Sequence, residues 1–542
     1  MKMKRLIKTG LLLVVAGIFA ACTSEDVAQD KAEDKENETV TPKGIMFTIN
    51  EPKVGAKARV IDFETGANAK TRTIIKHTPG NGADAYWTST DYIFVQDHGG
   101  TWRKSTAIQL NDGGASATFT LPAATYDDGC QVNYTVTGDN IIGVETTATI
   151  PTIQTQTTPN NFSHAAVSGD CGMGVARATS TPNKFNFTLK HKPSYLCFLP
   201  RCESVALGQN IRLTTIRVES DNTISAVLFL PSPQEDIGRF ITLNTGNGIA
   251  SYFPLTNTSD SPETNAAYMV IAPGTHNLTI KYTIRDKDYG TTVDITQTVN
   301  ANFEAGKIYD IRANLTLPPA PPMLKYYMWD AQNHYWYGHE PNGIPDGSYP
   351  GNATDLQHRW YNTSHLGPGI RSDAQTELFK KLPNVNEMMW YAFKGDAHWG
   401  DDGNVYDNNG HPYWLQGIWL KKKAKIMADE GITKEQMENG YPKDNPTDWR
   451  TTLYTHTTPG FQIGSVDMTP IPNKTDYFFL PAQGHYFIGV RKNWPIEVNG
   501  WTSSATPDWG YDSYYLMANR QSKTIGVYKY SRNIGLTAII FE

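Results

Sequence analysis

Residues 44–317 consist of short apolar segments separated by turn-forming residues, and this pattern limits the fold more than any other feature. The segments are rich in β-branched and aromatic residues and are bounded by Gly, Pro, Asn or Asp, which favours strands joined by turns. Sustained helical periodicity is absent from this half of the sequence. The pattern predicts two antiparallel β-sandwiches in series, with strands at 45–49, 92–95, 117–121, 132–136, 185–189, 195–199, 211–218, 268–271, 278–282 and 308–317.

A proline-rich segment, Pro318–Pro322, marks the clearest boundary in the chain. Proline lacks an amide donor and favours extended backbone, so this segment is predicted to be a semi-rigid linker. A second boundary is expected near Pro182, where a stretch rich in Thr, Gln, Asn and Gly ends. The predicted units are a first sandwich at 44–182, a second at 183–317, the linker at 318–322 and a different domain at 323–542.

The C-terminal region, 323–542, contains 11 of the 13 tryptophans. Helices are predicted at 373–382 and 434–439, with Asp373 and Thr433 as their N-terminal caps. Strands are expected at 476–480 and 536–541, so this region is predicted to be a compact α+β domain with long loops.

The N-terminus combines basic residues, an apolar run at Leu11–Ala21 and then a cysteine, Cys22. A basic start, an apolar run and small residues at the cleavage point are typical of a secretory signal. Because a cysteine follows the cleavage point, residues 1–21 resemble a bacterial lipoprotein signal peptide. That resemblance implies acylation of Cys22, with palmitate among its fatty acids. The alternative is an ordinary secretory signal followed by a chance cysteine.

The segment after Cys22 is polar. Thr23–Asp26 resembles the surface-export signal of Bacteroidetes lipoproteins, which implies a place on the outer face of the outer membrane. Residues 22–43 have few apolar side chains and many charges, so they are predicted to form a disordered tether. No other apolar run is long enough to span a bilayer, so the lipid on Cys22 would be the membrane anchor.

The sequence carries no pattern that indicates an enzyme. It contains no His-Glu-x-x-His zinc motif and no Gly-x-Ser-x-Gly elbow, so we expect no catalytic residues, cofactor or metal. The net charge of −6 argues against a nucleic-acid surface. The four remaining cysteines allow three disulfide pairings, and they are Cys130, Cys171, Cys197 and Cys202. For Cys197, a buried free thiol is at least as favoured as a disulfide.

Several segments, in order, resemble the fimbrillin family, the pilins of Bacteroidetes. Thr71–Thr73, Trp87 and Asp91–Val95 look like the N-terminal pilin domain, and Ile271–Gly274 and Phe303–Ile311 look like the C-terminal one. Together they cover roughly 270 residues, judged from the predicted domain lengths. The resemblance implies Greek-key pilin-like sandwiches and a structural role in a cell-surface fimbria.

The family's assembly logic follows from strand pairing, because a sandwich that lacks one strand invites a strand from another chain. The resemblance implies that an Arg- or Lys-specific protease removes the first strand and that another subunit's extension replaces it. Here the displaced strand would be Ile45–Ile49 (Ile45, Met46, Phe47, Thr48 and Ile49). The cut would follow Arg59 or, less favoured, Arg72 or Lys57; alternatively, Arg59 is one exposed arginine among many.

The C-terminal region departs from a shaft pilin, which should end in a free donor strand. Leu382–Glu387, Trp390-Tyr391, Asp476–Gly484 and Gly500–Ser504 resemble the tip-type extension of fimbrillins, which is similar to C-type lectin-like folds. The resemblance implies an adhesive domain at the fimbrial tip.

A sugar-binding surface would use exposed aromatic faces together with polar side chains that bond the hydroxyls. The alternative is that most tryptophans fill the core. The candidates are Tyr335, Trp336, Trp399, Asp401, Asp402 and Asn404. Oxygen ligands for Ca²⁺ are available in Asp401–Asn404 and Asp407–Gly410, but their spacing departs from that of an EF-hand loop. An Asx-rich turn is the favoured interpretation.

The sequence therefore predicts a non-enzymatic adhesive subunit of a fimbria, assembled by strand complementation. Its predicted partners are other pilin subunits, a glycan or a host or bacterial surface protein, and the outer membrane through the lipid. The alternative is a non-polymerising surface lipoprotein that binds glycans. An enzyme that acts on glycans is a third and weaker hypothesis.

Overall fold

The computed structural model describes residues 45–49, 63–64, 74–135, 146–230, 234–339, 349–455, 463–508 and 510–541. The chain is mainly β, as predicted. Its α-helices in the described residues are α1 (Val205–Asn210), α2 (Pro262–Asn265), α3 (Val385–Lys394), α4 (Lys423–Glu430) and α5 (Lys434–Asn439). None of them is long and apolar enough to cross a membrane.

The strands before the proline-rich linker are short and closely spaced. They are β1 (Ile45–Ile49), β2 (Phe63–Glu64), β3 (Ile74–Thr78), β4 (Gly82–Tyr86), β5 (Phe94–Gln96), β6 (Trp102–Lys104), β7 (Ala107–Asn111), β8 (Ser116–Leu121), β9 (Gln131–Thr135), β10 (Thr147–Thr149), β11 (Ile153–Gln156), β12 (Cys171–Val175), β13 (Arg177–Ala178), β14 (Lys184–Phe187), β15 (Leu189–His191), β16 (Ser194–Arg201), β17 (Ile211–Ser220), β18 (Ser225–Phe229), β19 (Glu235–Gly238), β20 (Phe240–Thr245), β21 (Phe253–Pro254), β22 (Ala267–Ile271), β23 (Gly274–Asp286), β24 (Thr292–Phe303) and β25 (Ile308–Asn314).

The strands of the C-terminal region follow the linker. They are β26 (Tyr326–Tyr327), β27 (His398–Asn408), β28 (His411–Lys421), β29 (Gly464–Ser465), β30 (Tyr477–Pro481), β31 (His485–Phe487), β32 (Val490–Lys492), β33 (Glu497–Ala505), β34 (Asp512–Asn519), β35 (Thr524–Ser531) and β36 (Leu536–Thr537).

The first sandwich has two five-stranded sheets, with the orders β13-β14-β1-β8-β7 and β15-β12-β9-β5-β6. Strand β8 alternates between buried and half-buried residues, as a strand with one face on a core should. The indole of Trp87 lies at the centre of this core. It contacts Phe119 and Tyr134 edge to face, with ring centroids 4.9 and 5.4 Å apart.

The second sandwich contains the sheets β11-β20-β17-β23-β24 and β2-β25-β16-β22. Strand β16 is buried along nearly its whole length, since it lies between β25 and β22 and is covered on both faces. Residues Ile75 and Phe162 belong to the same core, and Phe162 stacks on Tyr268 with ring centroids 4.8 Å apart. The second core therefore also recruits segments from the first part of the chain.

Strand pairing crosses the boundary that we placed at residues 182 and 183. Strand β14 lies after it but pairs with β1 and β13 in the first sandwich. Strands β10 and β11 lie before it but pair with β18 and β20. Most pairs are antiparallel, whereas β1–β14, β11–β20, β16–β25 and, in the C-terminal region, β33–β36 are parallel, which the long connections between their strands permit.

The C-terminal region is built on the sheets β26-β36-β33-β34-β35-β29 and β27-β28-β30. Its principal helix, α3, was not predicted. Asn384 and Glu387 form a capping box at its start. The predicted helix at 373–382 is wrong, since only Phe379–Lys381 forms a 3-10 turn and Leu382 is extended before Pro383. The helix at 434–439 is confirmed, with Thr433 as its cap.

The linker pairs with the turn region of the β27–β28 hairpin. The amide of Asp407 donates to the carbonyl of Pro318 at 2.6 Å, and the amide of Ala320 donates to the carbonyl of Asp407 at 2.9 Å. Ser204 also donates to the Asp407 carboxylate at 2.6 Å. Asn409 and Gly410 turn the hairpin at positive φ. The linker is thus held in place by hydrogen bonds rather than by proline stiffness alone.

The four cysteines of the described residues are free thiols. Burial raises the pKa of the Cys171 and Cys197 thiols well above the usual value. Burial also raises the pKa of Cys130, which is half-buried, to about 11. These environments keep the thiols protonated, and a protonated thiol is a poor nucleophile.

We predict that a maleimide reagent leaves Cys171 and Cys197 unlabelled at neutral pH until the chain is unfolded. A thiol introduced at exposed Val205 (Val205→Cys) should react quickly and serves as the control. Mass spectrometry of peptides from a Cys22→Ala chain measures both rates. Rapid labelling of Cys197 in the native chain, or a disulfide to it, would contradict the structure.

Candidate functional site

Strand β1 lies inside a sheet rather than at its edge. It pairs antiparallel with β8 and parallel with β14. The register places Phe47 beside Phe119 on one side and Phe185 on the other. The amide of Met46 also donates to the carbonyl of Asn183 at 3.0 Å. We call the space between β8 and β14 the β1 slot.

The β1 slot is lined by apolar residues of the first core. Phe119 and Leu121 on β8 and Phe185 and Phe187 on β14 are all buried, and all belong to one core cluster. Removal of β1 would leave the facing edges of β8 and β14 unpaired and would expose these side chains to solvent. Unpaired edges and exposed apolar surface are both costly, so an empty slot favours the binding of another strand.

Strand β2 follows β1 in sequence but lies in the second sandwich, where Phe63 and Glu64 pair with β25. The predicted cleavage site Arg59 falls between β1 and β2 in the sequence, and Arg72 falls after β2. Both arginines, like Lys57 and Cys22, lie outside the described residues. A cut after Arg59 would separate β1 from the chain and leave β2 attached to it.

The aromatic candidates of the C-terminal region are not displayed at the surface. Tyr335 is 0% exposed, and Trp336 is also buried. Tyr335 stacks on Tyr486, and Trp336 meets the same ring edge to face, with ring centroids 5.5 and 5.2 Å apart. The expected open stacking faces are therefore not presented. These rings instead hold Tyr486 and, through it, the hairpin of β31 and β32.

The other candidates lie in a different cluster around strand β27. Trp399 is buried in the main C-terminal core. Asp401 accepts from the amide of Gly403 at 2.9 Å, and Asp402 accepts from the amide of Asn404 at 3.0 Å. These are Asx turns in a bulged strand, as favoured from the sequence. The structure thus does not bring the six candidates into one surface, and their role in binding stays a prediction.

Sequence reasoning missed an exposed apolar hairpin tip, defined by Phe487, Ile488 and Val490. Ile488 is 54% exposed and has a φ of 48°, which is unusual for a β-branched side chain. The hydroxyl of Tyr335 accepts from the amide of Gly489 at 3.1 Å and fixes this turn. A Phe-Ile-Gly-Val turn without Asn or Asp was the sequence signal that this hairpin differs from an ordinary one.

Sequence reasoning also missed a cavity of about 370 Å³ beside α3 and α5. Its size is within the range of small-ligand sites. Trp390 and Ile432 supply apolar lining, while Asn439 and Asp448 supply polar groups. We call it the α3–α5 cavity.

The polar wall of the α3–α5 cavity is already organised. Asp448 accepts from Arg450 at 2.7 Å and from Asn386 at 2.9 Å. Burial alone raises the pKa of the Asp448 carboxyl, but these hydrogen bonds outweigh burial and hold the pKa below its usual value. The indole of Trp390 donates to the carbonyl of Gly440 at 2.9 Å. A rigid wall of this kind reduces the entropy that a ligand loses on binding.

Two groups of potential metal ligands occur in the described residues, but hydrogen bonds account for both. His77, Cys197 and Asp310 form the buried group, in which His77 contacts Asp310 at 2.5 Å and Gly82 at 2.8 Å. In the second group, His411 contacts Asp286 at 2.8 Å. Neither arrangement requires an ion.

Comparisons with known proteins give only weak structural matches. No protein-family model and no curated protein matches the chain. A candidate cell adhesion protein from Bacteroides ovatus is 14% identical, with a TM-score of 0.29 over 47% of this chain and 93% of that chain. A candidate cell adhesion protein from Bacteroides uniformis is 13% identical, with a TM-score of 0.28 over 42% of this chain and 89% of that chain.

A fimbrial protein from Bacteroides ovatus covers more of the chain. It is 10% identical, with a TM-score of 0.21 over 87% of this chain and 98% of that chain. At TM-scores this low the neighbours establish neither a shared fold nor a shared function. The chain's own geometry therefore has to support the functional conclusion.

Proposed function

We propose that this chain is an adhesive subunit of a cell-surface fimbria that loses β1 and accepts a strand from another subunit in the β1 slot. The observation that supports the proposal is the position of β1 between β8 and β14. A strand at this position is held by two ladders and cannot be lost without exposing the first core. Its replacement by a similar strand restores both ladders.

The exchange does not need a source of energy other than cleavage. Before cleavage, β1 is tethered to the rest of the chain, so its effective concentration at the slot is high. After cleavage it is a separate short peptide, and a donor strand that buries more residues can displace it. A donor strand replaces the backbone bonds of β1 and, where it is longer, makes additional ones, so the exchange favours the longer donor.

The proposed precursor is anchored by lipid at Cys22 and carried at the outer surface by the tether at 22–43. Cleavage after Arg59, or alternatively after Arg72, releases the subunit from this anchor. A cut at Arg59 leaves β2 paired with β25, so the second sandwich keeps all its strands. This separation of β1 from β2 supports Arg59 over Arg72, since a cut at Arg72 removes both strands.

The C-terminal region, 323–542, is the proposed lectin-like adhesive domain at the fimbrial tip. Its last described strand, β36, pairs with β26 and β33 and is therefore engaged within its own sheet. A strand engaged in this way is a poor donor for a neighbouring subunit. The α3–α5 cavity is the proposed glycan site, because its apolar lining and fixed polar groups suit a sugar ring.

A second function is a surface lipoprotein that binds glycans and does not polymerise. The α3–α5 cavity supports this function and the adhesin equally, since both proteins would bind a glycan there. The two functions differ in the fate of β1, which remains in a capture protein and leaves in a pilin. The β1 slot is thus the feature that separates them.

We predict that an Arg-specific protease cuts the full-length chain after Arg59 and that the product binds a peptide with the sequence of residues 44–50. N-terminal sequencing identifies the cut, and fluorescence anisotropy measures peptide binding. The same peptide with Phe47→Asp should bind at least tenfold more weakly, since the strand register pairs position 47 with the buried residues Phe119 and Phe185. The uncut chain, whose slot is occupied, is the control.

A cleaved chain that binds both peptides equally, or neither, would contradict strand exchange. An Arg59→Gln chain should resist cleavage at this position and keep β1. If Arg59→Gln chains still form fimbriae on cells, Arg59 is not the processing site.

We also predict that Asn439→Ala weakens binding to a glycan array by about tenfold, the cost of one or two lost hydrogen bonds. Asn404→Ala is the matched control, because Asn404 lies on the exposed turn of β27. Circular dichroism verifies that both variants fold. Loss of binding in Asn404→Ala alone would favour the site predicted from the sequence over the α3–α5 cavity.

A further inference from the structure

Strand β24 is a long edge strand. It ends the sheet β11-β20-β17-β23-β24, and it pairs with β23 in an unbroken register from Thr292 to Phe303. Within the described part of the chain, no strand pairs with its other side. At 12 residues it is about twice the usual strand length. Its outer edge therefore presents a long row of backbone groups that a partner strand could pair with, although the carbonyl of Asn302 already accepts from the Tyr309 hydroxyl at 3.0 Å.

The edge of β24 lacks the features that usually prevent pairing between edges. Natural edges are blunted by lysine, proline, bulges or short length. The sequence TVDITQTVNANF contains no lysine, arginine or proline, and the β23–β24 register has no bulge. Its one charged residue, Asp294, is paired with Lys281 at 3.1 Å and accepts from Thr283 at 2.7 Å.

The two faces of β24 differ in polarity. The even-numbered residues are exposed, and they are Thr292, Asp294, Thr296, Thr298, Asn300 and Asn302. The odd-numbered residues are buried or half-buried, and they are Val293, Ile295, Gln297, Val299, Ala301 and Phe303. A partner strand must place apolar residues on the same face, because a slip of one residue would invert the pattern.

We propose that β24 pairs antiparallel with β24 of a second copy of this chain, about a twofold axis at Thr298. In this register Val293 of one copy lies opposite Phe303 of the other, and Ile295 lies opposite Ala301. In the odd-numbered row, Val293, Ile295, Ala301 and Phe303 thus meet apolar partners, and the amide-bearing Gln297 lies opposite Val299. Residues 293–303 are then paired, and two six-stranded sheets become one continuous sheet.

The edge of β24 is complementary to itself in charge and polarity, which favours a second copy of the chain over another partner. Asp294 of one copy lies opposite Asn302 of the other, so no like charges meet. Thr298 lies opposite Thr298, and threonine pairs across strands are favourable. Twofold dimers with identical patches on both subunits are the commonest oligomers.

This pairing is independent of the proposed strand exchange. The β1 slot is in the first sandwich, whereas β24 belongs to a sheet of the second sandwich. The dimer would join subunits side by side rather than end to end. Its test therefore does not require that β1 be removed.

Cross-linking tests the register directly. A Thr298→Cys chain should form a disulfide-linked dimer under mild oxidation, because the two thiols face each other at the axis. Thr279→Cys is the matched control, since Thr279 is the exposed neighbour of Thr298 on β23 and lies one strand away from the axis. Equal cross-linking of the two variants, or none by Thr298→Cys, would overturn the proposed register.

Sedimentation equilibrium of the full-length chain tests the dimer itself. Thr298→Lys should raise the dimer dissociation constant at least tenfold, since two lysines would meet at the axis, while Thr279→Lys should leave it unchanged. Circular dichroism verifies the fold of both variants. A monomer at high micromolar concentration, or a dimer that Thr298→Lys does not weaken, would overturn the proposal, even if another subunit's strand binds this edge.

Discussion

The pairing of β1 with both β8 and β14 is the interaction on which the account of this molecule depends. Five residues complete a sheet whose two halves come from distant parts of the sequence. Phe119 and Phe185 are buried on either side of the strand, so the first core is closed only while the slot is filled. A strand that is both central and N-terminal is the feature that makes exchange physically reasonable.

The rest of the chain gives this exchange a rigid frame. Strand β14 enters the first sheet, and β16 enters the second sandwich a few residues later, so a short connection joins the slot to the second core. The hydrogen bonds between Pro318–Ala320 and Asp407 join the second sandwich to the C-terminal region. A force on the C-terminal region would thus reach the sandwiches through a paired segment rather than a loose tether.

Local strand structure could be predicted from the sequence, whereas long-range pairing could not. The apolar and β-branched composition of Ile45–Ile49 and the alternation in Ser116–Leu121 are properties of neighbouring residues, and both strands are found where we expected them. The exchange of strands between the two sandwiches depends on which distant strand edges are free to pair. The local pattern of apolar and polar residues does not encode this. The helix predicted at 373–382 is wrong because long-range contacts hold its first half, where Asp373 bridges Ser504 and the Asp330 carboxylate accepts from the amides of residues 375 and 376. Pro383 then excludes the helical region for the residue before it.

The candidate ligand residues were harder to predict for a related reason. Tryptophan and tyrosine serve both cores and binding surfaces, and in this region Tyr335, Trp336 and Trp399 are used to fill the interior. The α3–α5 cavity is formed by residues from separate segments, so no short motif marks it. The Asx turns at Asp401 and Asp402, in contrast, depend on adjacent residues and were the favoured interpretation.

Hydrogen exchange at the amides of β8 and β14 tests the central claim most directly. For the amides of Thr118–Leu121 and Lys184–Phe187 that face β1, we predict slow exchange in the intact chain, fast exchange after β1 is cut away and released, and slow exchange again in assembled fimbriae. If these amides stay protected in the isolated chain after β1 has left, no open slot exists. Strand exchange would then be contradicted.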